Sequence, residues 1–583
     1  MGAVNREKQI AEAEELLGDH LDRIGFAKGL FFGRYLGSRL PAYPRPAKAD
    51  VLARVGELRR FCAEHIDPVA IDRQAEIPAS VVAGLGRLGV LGACLPKPVG
   101  GLEWTQTDYC RLLEVLGGHC ASTALFVNAH HSIGPRALVL FGTPEQQERW
   151  LPKLSSGEWI SAFALTEPEA GSDAANVQTE ARPSPDGRGY VLNGQKRWIT
   201  NGGIAQVLTV MARTPVPGHT ETKITAFIVT PDMPGFEVVE ARMPKCGVRG
   251  TATSRLAFRD MFVPRENILG KLGKGLRVAL TVLDFGRTTF GASCTGAAKT
   301  CLARAVEHAN TRVQFGQPLA SFELVKEKLA FMSAGIFAME ATTYATAALI
   351  DSGADDYMLE TAMLKVWSTE VLWRIINDTF QIYGGKAYFT DEPYERMMRD
   401  ARINMIGEGA NDVLRAFTAL VGMRDVGLEL KGVLDALLHP LGNLSKLSGF
   451  ASRRLGAMLA PPAIEVHSAE LHEDAARLAK TLGKLGSDVE ALLRRYRESI
   501  LDRQYQLGRV ADAATELYVS SCVLNRMDAM LHHHGYDAAT RQDALVRGRY
   551  YLRTAQRRIL RSLADLWDND DEETNQLADR VIG

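Results

Sequence analysis

The chain has 583 residues, 46% of them hydrophobic and 23% charged, and its formal net charge is −1 at pH 7. This length predicts about three to four domains, and the balanced charge without a Lys/Arg block excludes proteins that bind nucleic acid through a basic field. The N-terminus lacks a signal-peptide core, no apolar run has membrane-spanning length, and the eight cysteines lack metal-ligand spacing, so we expect a cytoplasmic protein with reduced thiols and no metal site.

In chain order, the sequence predicts helices, then strands, then helices again. Residues 1–50 are expected to form a lead helix and linker, and apolar residues at helical spacing predict a helical domain at 51–159. Short β-rich runs split by Gly, Pro and Asn predict a small all-β domain at 160–275. Helical periodicity then predicts a helical domain at 276–425 and an appended one at 426–583. The fold class is therefore mainly α with an inserted small all-β domain.

The segment GLGRLG at 84–89 matches the GxGxxG pattern of dinucleotide-binding sites. Pro78 and Ser80 predict the start of a helix before it, and no apolar strand leads into it, as that motif requires. We interpret these glycines as small residues in a packing contact of a helix.

Two segments of the predicted β domain carry side chains suited to a ligand. The segment 163–181, FALTEPEAGSDAANVQTEA, presents hydroxyls and backbone N–H groups around a proline turn, which suits an electron-rich ligand. In 193–203, NGQKRWITNGG, the pattern places Trp198 and Thr200 on one face of a strand, which suits a planar heterocycle. Each segment, taken alone, could equally be an ordinary turn or strand.

Two segments of the helical region raise the same question. Gly384 and Gly385 would allow a phosphate close to the backbone, although they could also simply end a helix. In INMIGEGANDVLRAF, Glu408 stands between two glycines just before a predicted helix. An acidic residue there can complement the helix dipole, or it can be a catalytic carboxylate.

Together, and in this order, these segments resemble the acyl-CoA dehydrogenases. Further matching segments are GTPEQQERWLPKLSSGEW (142–159), FVPRENILG (262–270), RVQFGQPLASFELVKEKLA (312–330) and GEGANDVLR from Gly407. The resemblance covers about residues 55–425, and the long C-terminal extension resembles the very-long-chain branch, which appends a second helical domain.

The resemblance implies FAD-dependent α,β-dehydrogenation of long-chain fatty acyl-CoA to trans-2-enoyl-CoA in fatty acid β-oxidation. Electrons would pass to an electron-transfer flavoprotein. Glu408 stands at the position of the family's catalytic base, and its apolar flanks suit a group that must be desolvated to take a weakly acidic α-proton. Its backbone N–H would polarise the thioester carbonyl as an oxyanion hole does.

The resemblance also assigns binding residues. Those expected at FAD are Phe163, Leu165, Thr166, Gly171, Ser172, Trp198, Thr200, Arg312, Phe315, Gln381, Gly384, Gly385, Ala410 and Asp412. Among these, the residues from Arg312 to Gly385 should reach the FAD of a neighbouring subunit, which implies a homodimer. Those expected on the acyl-CoA side are Ser172, Asp284, Arg287, Gly407 and Asn128. The pair Asp284 and Arg287 could instead be a surface ion pair.

Three positions depart from the family pattern. Gly407 replaces an aromatic residue, Ala410 replaces a threonine, and Asn128, one turn after Ala124, stands where the very-long-chain branch keeps small residues. We therefore expect Asn128 to close the pocket floor. Two rival functions stay open: an acyl-CoA oxidase that uses oxygen, and a catalytically weak scaffold or assembly factor, against which the intact Glu408 argues.

The C-terminal extension holds a broken apolar stripe with basic residues at 431–462. It is either an interfacial membrane helix, giving peripheral contact at the inner membrane face, or a helix packed on the appended domain. The three consecutive histidines in LHHHGYD (531–537) do not predict a metal site, because adjacent helical positions point in different directions.

Overall fold

The computed structural model describes residues 24–438, 462–532 and 535–583. The predicted lead helix falls largely on residues 1–23, and the predicted membrane segment 431–462 largely on residues 439–461, both outside the described residues. The chain forms two compact units. One contains 44–347 and 367–410, and the other contains 348–366, 411–583 and the described residues before Pro44.

The helices before the sheet agree with the helical periodicity of this part of the sequence. They are α1 Phe26–Phe31, α2 Ala49–His65, α3 Pro68–Gln74, α4 Ala79–Arg87, α5 Gln106–His119, α6 Ala121–His131, α7 Pro135–Phe141 and α8 Pro144–Ser156. A capping box between Thr143 and Gln146 begins α8, with Pro144 at the first helical position. The segment GLGRLG lies in and just after α4, and a Cβ at Gly84 would clash with the Phe61 ring. Its glycines therefore serve helix packing.

The strands of the main sheet lie between Ser161 and Leu269. They are β1 Ser161–Ala164, β2 Glu180–Pro183, β3 Gly189–Ile199, β4 Val207–Thr214, β5 Lys223–Val229, β6 Phe236–Glu240, β7 Ser254–Pro264 and β8 Ile268–Leu269. The order is β6-β7-β3-β2-β4-β5-β8, with β1 parallel to β4. One apolar cluster joins the sheet to α7, α8 and the residues around Val278, and a second includes Phe227 and Phe258.

The remaining helices include the longest of the described chain. They are α9 Gly275–Thr311, α10 Glu323–Asp351, α11 Met358–Tyr383, α12 Tyr394–Arg402, α13 Asn411–Leu438, α14 His472–Tyr496, α15 Gln504–His532, α16 Ala538–Ala564 and α17 Asp571–Ile582. A short hairpin, β9 Val313–Gln314 and β10 Gln317–Pro318, follows α9. No helix in the described ranges is both long and apolar enough to cross a membrane.

Buried polar contacts fix α1 within its own unit. The backbone N–H of Ala27 donates to Oε1 of Glu360 at 2.8 Å, and Lys28 pairs with Asp356 at 2.7 Å. The Glu360 side chain is only 1% exposed. Burial, assisted by the nearby charge of Asp356, raises the pKa of Glu360 to about 8.

Candidate active site

Glu408 lies in a strained turn between α12 and α13. Its φ is 55°, in the left-handed region that residues other than glycine rarely adopt, and Gly409 follows with φ 99°. The N–H groups of Ile406 and Gly407 both donate to the carbonyl oxygen of Ile403, at 2.9 and 2.8 Å, and so close the turn. Strained backbone of this kind concentrates at functional sites.

Helix α9 supports this turn through Asp284, Gly286 and Arg287. Asp284 and Arg287 form an ion pair at 3.0 Å and are each 5% exposed, so the pair is not at the surface. Nε of Arg287 lies 3.4 Å from the backbone oxygen of Glu408. Between them, Gly286 lies so close to the Glu408 carboxylate that a Cβ there would be 2.5 Å from Oε2. The pair therefore supports the loop that carries Glu408.

A second contact to the carboxylate comes from α6. Nδ2 of Asn128 donates to Oε1 of Glu408 at 3.1 Å, and Oδ1 of Asn128 accepts a short hydrogen bond from the hydroxyl of Thr289. The hydroxyl of Ser132 lies 3.3 Å from that of Thr289. Asn128 is 2% exposed and Thr289 fully buried, so this network links α6 to α9 and ends at the carboxylate.

Asn128 also lines a cavity of about 420 Å³. Its walls come from the end of α5, from α6, α9, α11 and α12, and from the segments that flank α12. Small and apolar residues predominate in its lining, including Gly118, Ala124, Phe290 and Ala297, and Arg304, Glu392 and Arg396 also contribute. The cavity is therefore a mainly apolar space with one member of the Glu408 network in its wall.

The loop predicted to bind a cofactor begins at the end of β1. Phe163 and Leu165 are each 9% exposed, and their side chains pack in the hydrophobic core next to the loop. The carbonyl oxygen of Thr166 accepts a hydrogen bond from the N–H of Arg197 at 3.0 Å, which ties the loop to β3. Further on, Gly171 and Ser172 are exposed.

A buried ion pair holds this loop. Nζ of Lys196 lies 2.6 Å from Oε1 of Glu167 and 2.9 Å from the carbonyl oxygen of Leu165, and the Lys196 and Glu167 side chains are 0% and 3% exposed. Burial lowers the pKa of Lys196, although the negative charge of Glu167 opposes this shift. Burial opposes the charge of Glu167, but Lys196 and hydrogen bonds from Thr179 and Gln178 outweigh it and lower the pKa of Glu167.

The prediction that Trp198 and Thr200 lie on one face of a strand is wrong. Strand β3 ends at Ile199, and Thr200 lies in the following turn. Trp198 has φ 61° at a register shift between Arg197 and Ile199, so the regular alternation of side chains stops there. The bulge leaves the indole 51% exposed, with the Arg197 guanidinium 4.9 Å from its centroid.

The residues assigned to a neighbouring subunit's cofactor lie at the surface. Arg312 and Gln381 are exposed, and the Phe315 side chain is 94% exposed at the tip of the β9–β10 hairpin, with φ 52°. Gly384 and Gly385 are exposed in the turn after α11. The side chains of Arg312, Phe315 and Gln381 and the backbone of the two glycines are therefore accessible on the surface of the same unit.

The other residues of the turn differ in exposure. Gly407 and Ala410 are half-buried, and Asp412 is exposed in the first turn of α13.

Four residues of the candidate site were not predicted from the sequence: Gly286, Thr289, Lys196 and Glu167. The position of Gly286 inside the Asp284–Arg287 motif was the available signal for the first of them.

Comparisons with known proteins identify the family of the chain. The chain matches the family descriptions "Acyl-CoA dehydrogenase, N-terminal domain" at 52–158, "middle domain" at 162–261 and "C-terminal domain" at 273–421. It also matches "ACAD9/ACADV, C-terminal domain" at 469–582. The chain belongs to the acyl-CoA dehydrogenase family, which confirms the family resemblance and the α–β–α fold with an appended helical domain.

Relatives match over most of their length. The chain is 36% identical to the mitochondrial very long-chain specific acyl-CoA dehydrogenase of Rattus norvegicus, over 94% of this chain and 85% of the relative. It is 34% identical to the probable acyl-CoA dehydrogenase FadE10 of Mycobacterium tuberculosis, over 99% and 91%. The acyl-CoA dehydrogenase complexed with FAD from Bacillus anthracis superposes with a TM-score of 0.79 at 27% identity, over 94% of both chains.

Proposed function

We propose that the protein is an FAD-dependent acyl-CoA dehydrogenase that converts long-chain fatty acyl-CoA to trans-2-enoyl-CoA. The observation that carries this proposal is the placement of Glu408 in a chain of this family. Its carboxylate is held against Gly286 and by Asn128, a residue of the wall of a mainly apolar cavity. A carboxylate fixed beside a space for an acyl chain is the arrangement that proton abstraction next to a thioester requires.

The residues present fit FAD. The indole of Trp198 is half exposed, and no heavy atom lies within 4 Å of the Cβ position at Gly171, Gly384 or Gly385, so each leaves room for a ligand against the backbone. Trp198 and Thr200 would hold the ring system, and Gly384 and Gly385 would approach a phosphate of the FAD of a neighbouring subunit. When bound, FAD would accept the hydride from the β-carbon of the substrate.

The chain's own residues supply the rest of the reaction. Glu408 takes the α-proton, and the ion pair of Asp284 and Arg287 holds its loop through the backbone oxygen of Glu408. The backbone N–H of Glu408 is the group that we assign to the thioester carbonyl, where it would stabilise developing negative charge by a few kcal/mol. The buried pair Lys196 and Glu167 fixes the cofactor loop.

Anaerobic titration with a panel of acyl-CoAs tests the function. The flavin absorbance of the purified holoenzyme should bleach with long-chain substrates. Glu408→Gln should retain FAD and bind acyl-CoA, yet lose turnover by several orders of magnitude, because the nearly isosteric amide cannot take a proton. Near-normal turnover in this variant would place the base elsewhere. Oxygen consumption during turnover would favour the oxidase, and a flavin that no acyl-CoA bleaches would favour the scaffold.

We further propose that an electron-transfer flavoprotein accepts the electrons and that the protein acts as a homodimer. The exposed residues Arg312, Phe315 and Gln381 support the dimer, because they are assigned to a cofactor that their own subunit would not hold alone. Peripheral membrane contact through 431–462 stays a prediction from the sequence.

A further inference from the structure

Asn128 makes contacts that a simple pocket floor does not require. Its buried amide donates to Oε1 of Glu408 at 3.1 Å and accepts from the hydroxyl of Thr289. The side chain is thus held from both ends, by the carboxylate on one side and by α9 on the other. Its amide is committed to the same carboxylate that takes the α-proton in the proposed function.

The hydrogen-bond chemistry fixes which way this amide points. An ionised carboxylate only accepts hydrogen bonds, so the group of Asn128 that faces it must be the NH₂. The carbonyl oxygen then faces Thr289, whose hydroxyl can donate to it. The Thr289 hydroxyl also lies 2.9 and 3.2 Å from the carbonyl oxygens of Gly286 and Phe285, but it has one proton, which we assign to Oδ1 of Asn128.

We propose that Asn128 is a positioning residue for Glu408, which aims its carboxylate and keeps it ready to accept a proton, with Thr289 holding the amide in place. This inference rests on the proposed function, because it assigns a role toward the base of that reaction. A donor to a carboxylate stabilises the ionised form, which is the form that abstracts a proton. Asn128 therefore acts on the rate of proton abstraction and not only on the depth of the cavity.

Charged groups of α9 and titratable groups of α6 lie close to the network that contains Glu408. Helix α9 contributes Arg287, which contacts the Glu408 backbone oxygen, and Asp284, which is paired with Arg287. On α6, His130 and His131 bond elsewhere, to Leu154, Ser161 and Cys94. None of these groups is replaced in the Asn128 variants, so a change in the pH profile on replacing Asn128 would report the loss of its own hydrogen bond.

Substitutions at two positions test the inference, with flavin reduction measured over a range of pH under anaerobic conditions. Asn128→Leu keeps the branching at Cγ but removes the donor, and it should slow reduction about tenfold to a hundredfold, because the carboxylate is no longer aimed. The acid limb of the profile should move to higher pH. Asn128→Asp should move it further, because a second carboxylate disfavours the ionised form of Glu408.

Two substitutions at Thr289 form a matched pair that leaves Asn128 unchanged. Thr289→Val should reproduce part of the Asn128→Leu effect, and Thr289→Ser, which keeps the hydroxyl, should restore the rate. Melting temperature and FAD content show that each variant is folded and loaded, and the dissociation constant of acyl-CoA should change little. A structural role alone would not shift the acid limb of the pH profile.

One result would contradict the role of Asn128 as a positioning residue. If Asn128→Leu and Thr289→Val keep the wild-type rate and pH profile, and only the preference for acyl chain length changes, Asn128 is a cavity wall and the inference is wrong. That outcome would leave the proposed function intact, since Glu408→Gln would still be inactive. Normal turnover in Glu408→Gln would instead overturn the proposed function.

Discussion

Gly286 and Glu408 are in contact although they are far apart in the sequence. Arg287, the residue after Gly286, precedes Glu408 by 121 positions. A Cβ at Gly286 would lie 2.5 Å from Oε2 of Glu408 and 3.0 Å from its Cδ. The atoms that such a Cβ would meet are the end of a flexible side chain and not backbone. A methyl group at position 286 would therefore displace the carboxylate without disturbing the helix.

We predict that Gly286→Ala separates stability from activity. Alanine is favoured over glycine inside a helix by up to about 1 kcal/mol, so the melting temperature should stay unchanged or rise. Turnover should fall by up to about a hundredfold, because a displacement of about 1 Å in a reacting group has this effect. Steady-state kinetics and thermal unfolding of the same preparation measure both.

Gly427→Ala is a suitable control for this variant. Gly427 lies in α13, and a Cβ there would make an ordinary contact at 3.9 Å with Leu493. The control should gain similar stability without loss of turnover. Equal turnover in Gly286→Ala and wild type would show that the Glu408 carboxylate does not need its position against Gly286.

The pair Lys196 and Glu167 gives a second prediction. Lys196→Met leaves the buried carboxylate of Glu167 without its cation, which should destabilise the protein by about 3–5 kcal/mol. Because Lys196 also bonds to Leu165 in the cofactor loop, FAD should be lost more readily. Urea unfolding and the ratio of flavin to protein absorbance measure the two effects.

The double variant Lys196→Met with Glu167→Gln separates the charge from the packing. Removing both charges should recover a large part of the lost stability, because the main cost is an unpaired buried charge. The N–H groups of Gln178 and Thr179 bond to different oxygens of Glu167, and the amide keeps only one accepting oxygen, so the recovery should be incomplete. If the double variant is as unstable as Lys196→Met, the aliphatic chain of Lys196 matters more than its charge.

The raised pKa of Glu360 predicts that the stability of its unit depends on pH. Its pKa is raised from 4.5 to about 8, so the folded state keeps a proton that the unfolded state releases between these values. Stability should therefore decrease as the pH rises through this window, by at most about 1.4 kcal/mol per pH unit from this group. The change should level off above the folded pKa.

Glu360→Gln isolates this contribution. The amide oxygen can still accept from the N–H of Ala27, so α1 should stay in place. Other groups titrate in both proteins, and the difference between their unfolding free energies across the pH window is the quantity to measure. A difference that is constant with pH would show that Glu360 does not retain its proton in the folded state.

The sequence alone predicted the fold because the patterns that define it are local. The apolar spacing of α2 to α8, the capping box at Thr143 and the alternation in the strands are each contained in a few neighbouring residues. The motifs around Thr166, Trp198 and Glu408 also occur as short segments, so their resemblance to one family could be recognised.

What the sequence did not predict depends on contacts between distant residues. Gly286 and Thr289 matter only because the turn at Glu408 returns to α9, and Asn128 matters because α6 lies beside both. The strand pattern around Trp198 failed because a bulge at Arg197 changes the direction of the chain, and alternation cannot show such a bulge. No local pattern in β3 predicts that Lys196 is buried, because its partner Glu167 lies in another segment of the chain.

The last prediction concerns the surface residues assigned to a neighbouring subunit. Arg312→Ala and Gln381→Ala should weaken dimerisation and FAD retention together, because each side chain would bind a cofactor held mainly by the partner. Both residues are exposed, so neither change should lower the stability of the isolated subunit. Arg265→Ala, another exposed arginine of the same unit, is the control and should change neither property. Molar mass from light scattering and the flavin-to-protein absorbance ratio, measured over a dilution series, provide the test. A variant that loses FAD while remaining a tight dimer would show that these residues bind the cofactor of their own subunit, and the assignment across subunits would be wrong.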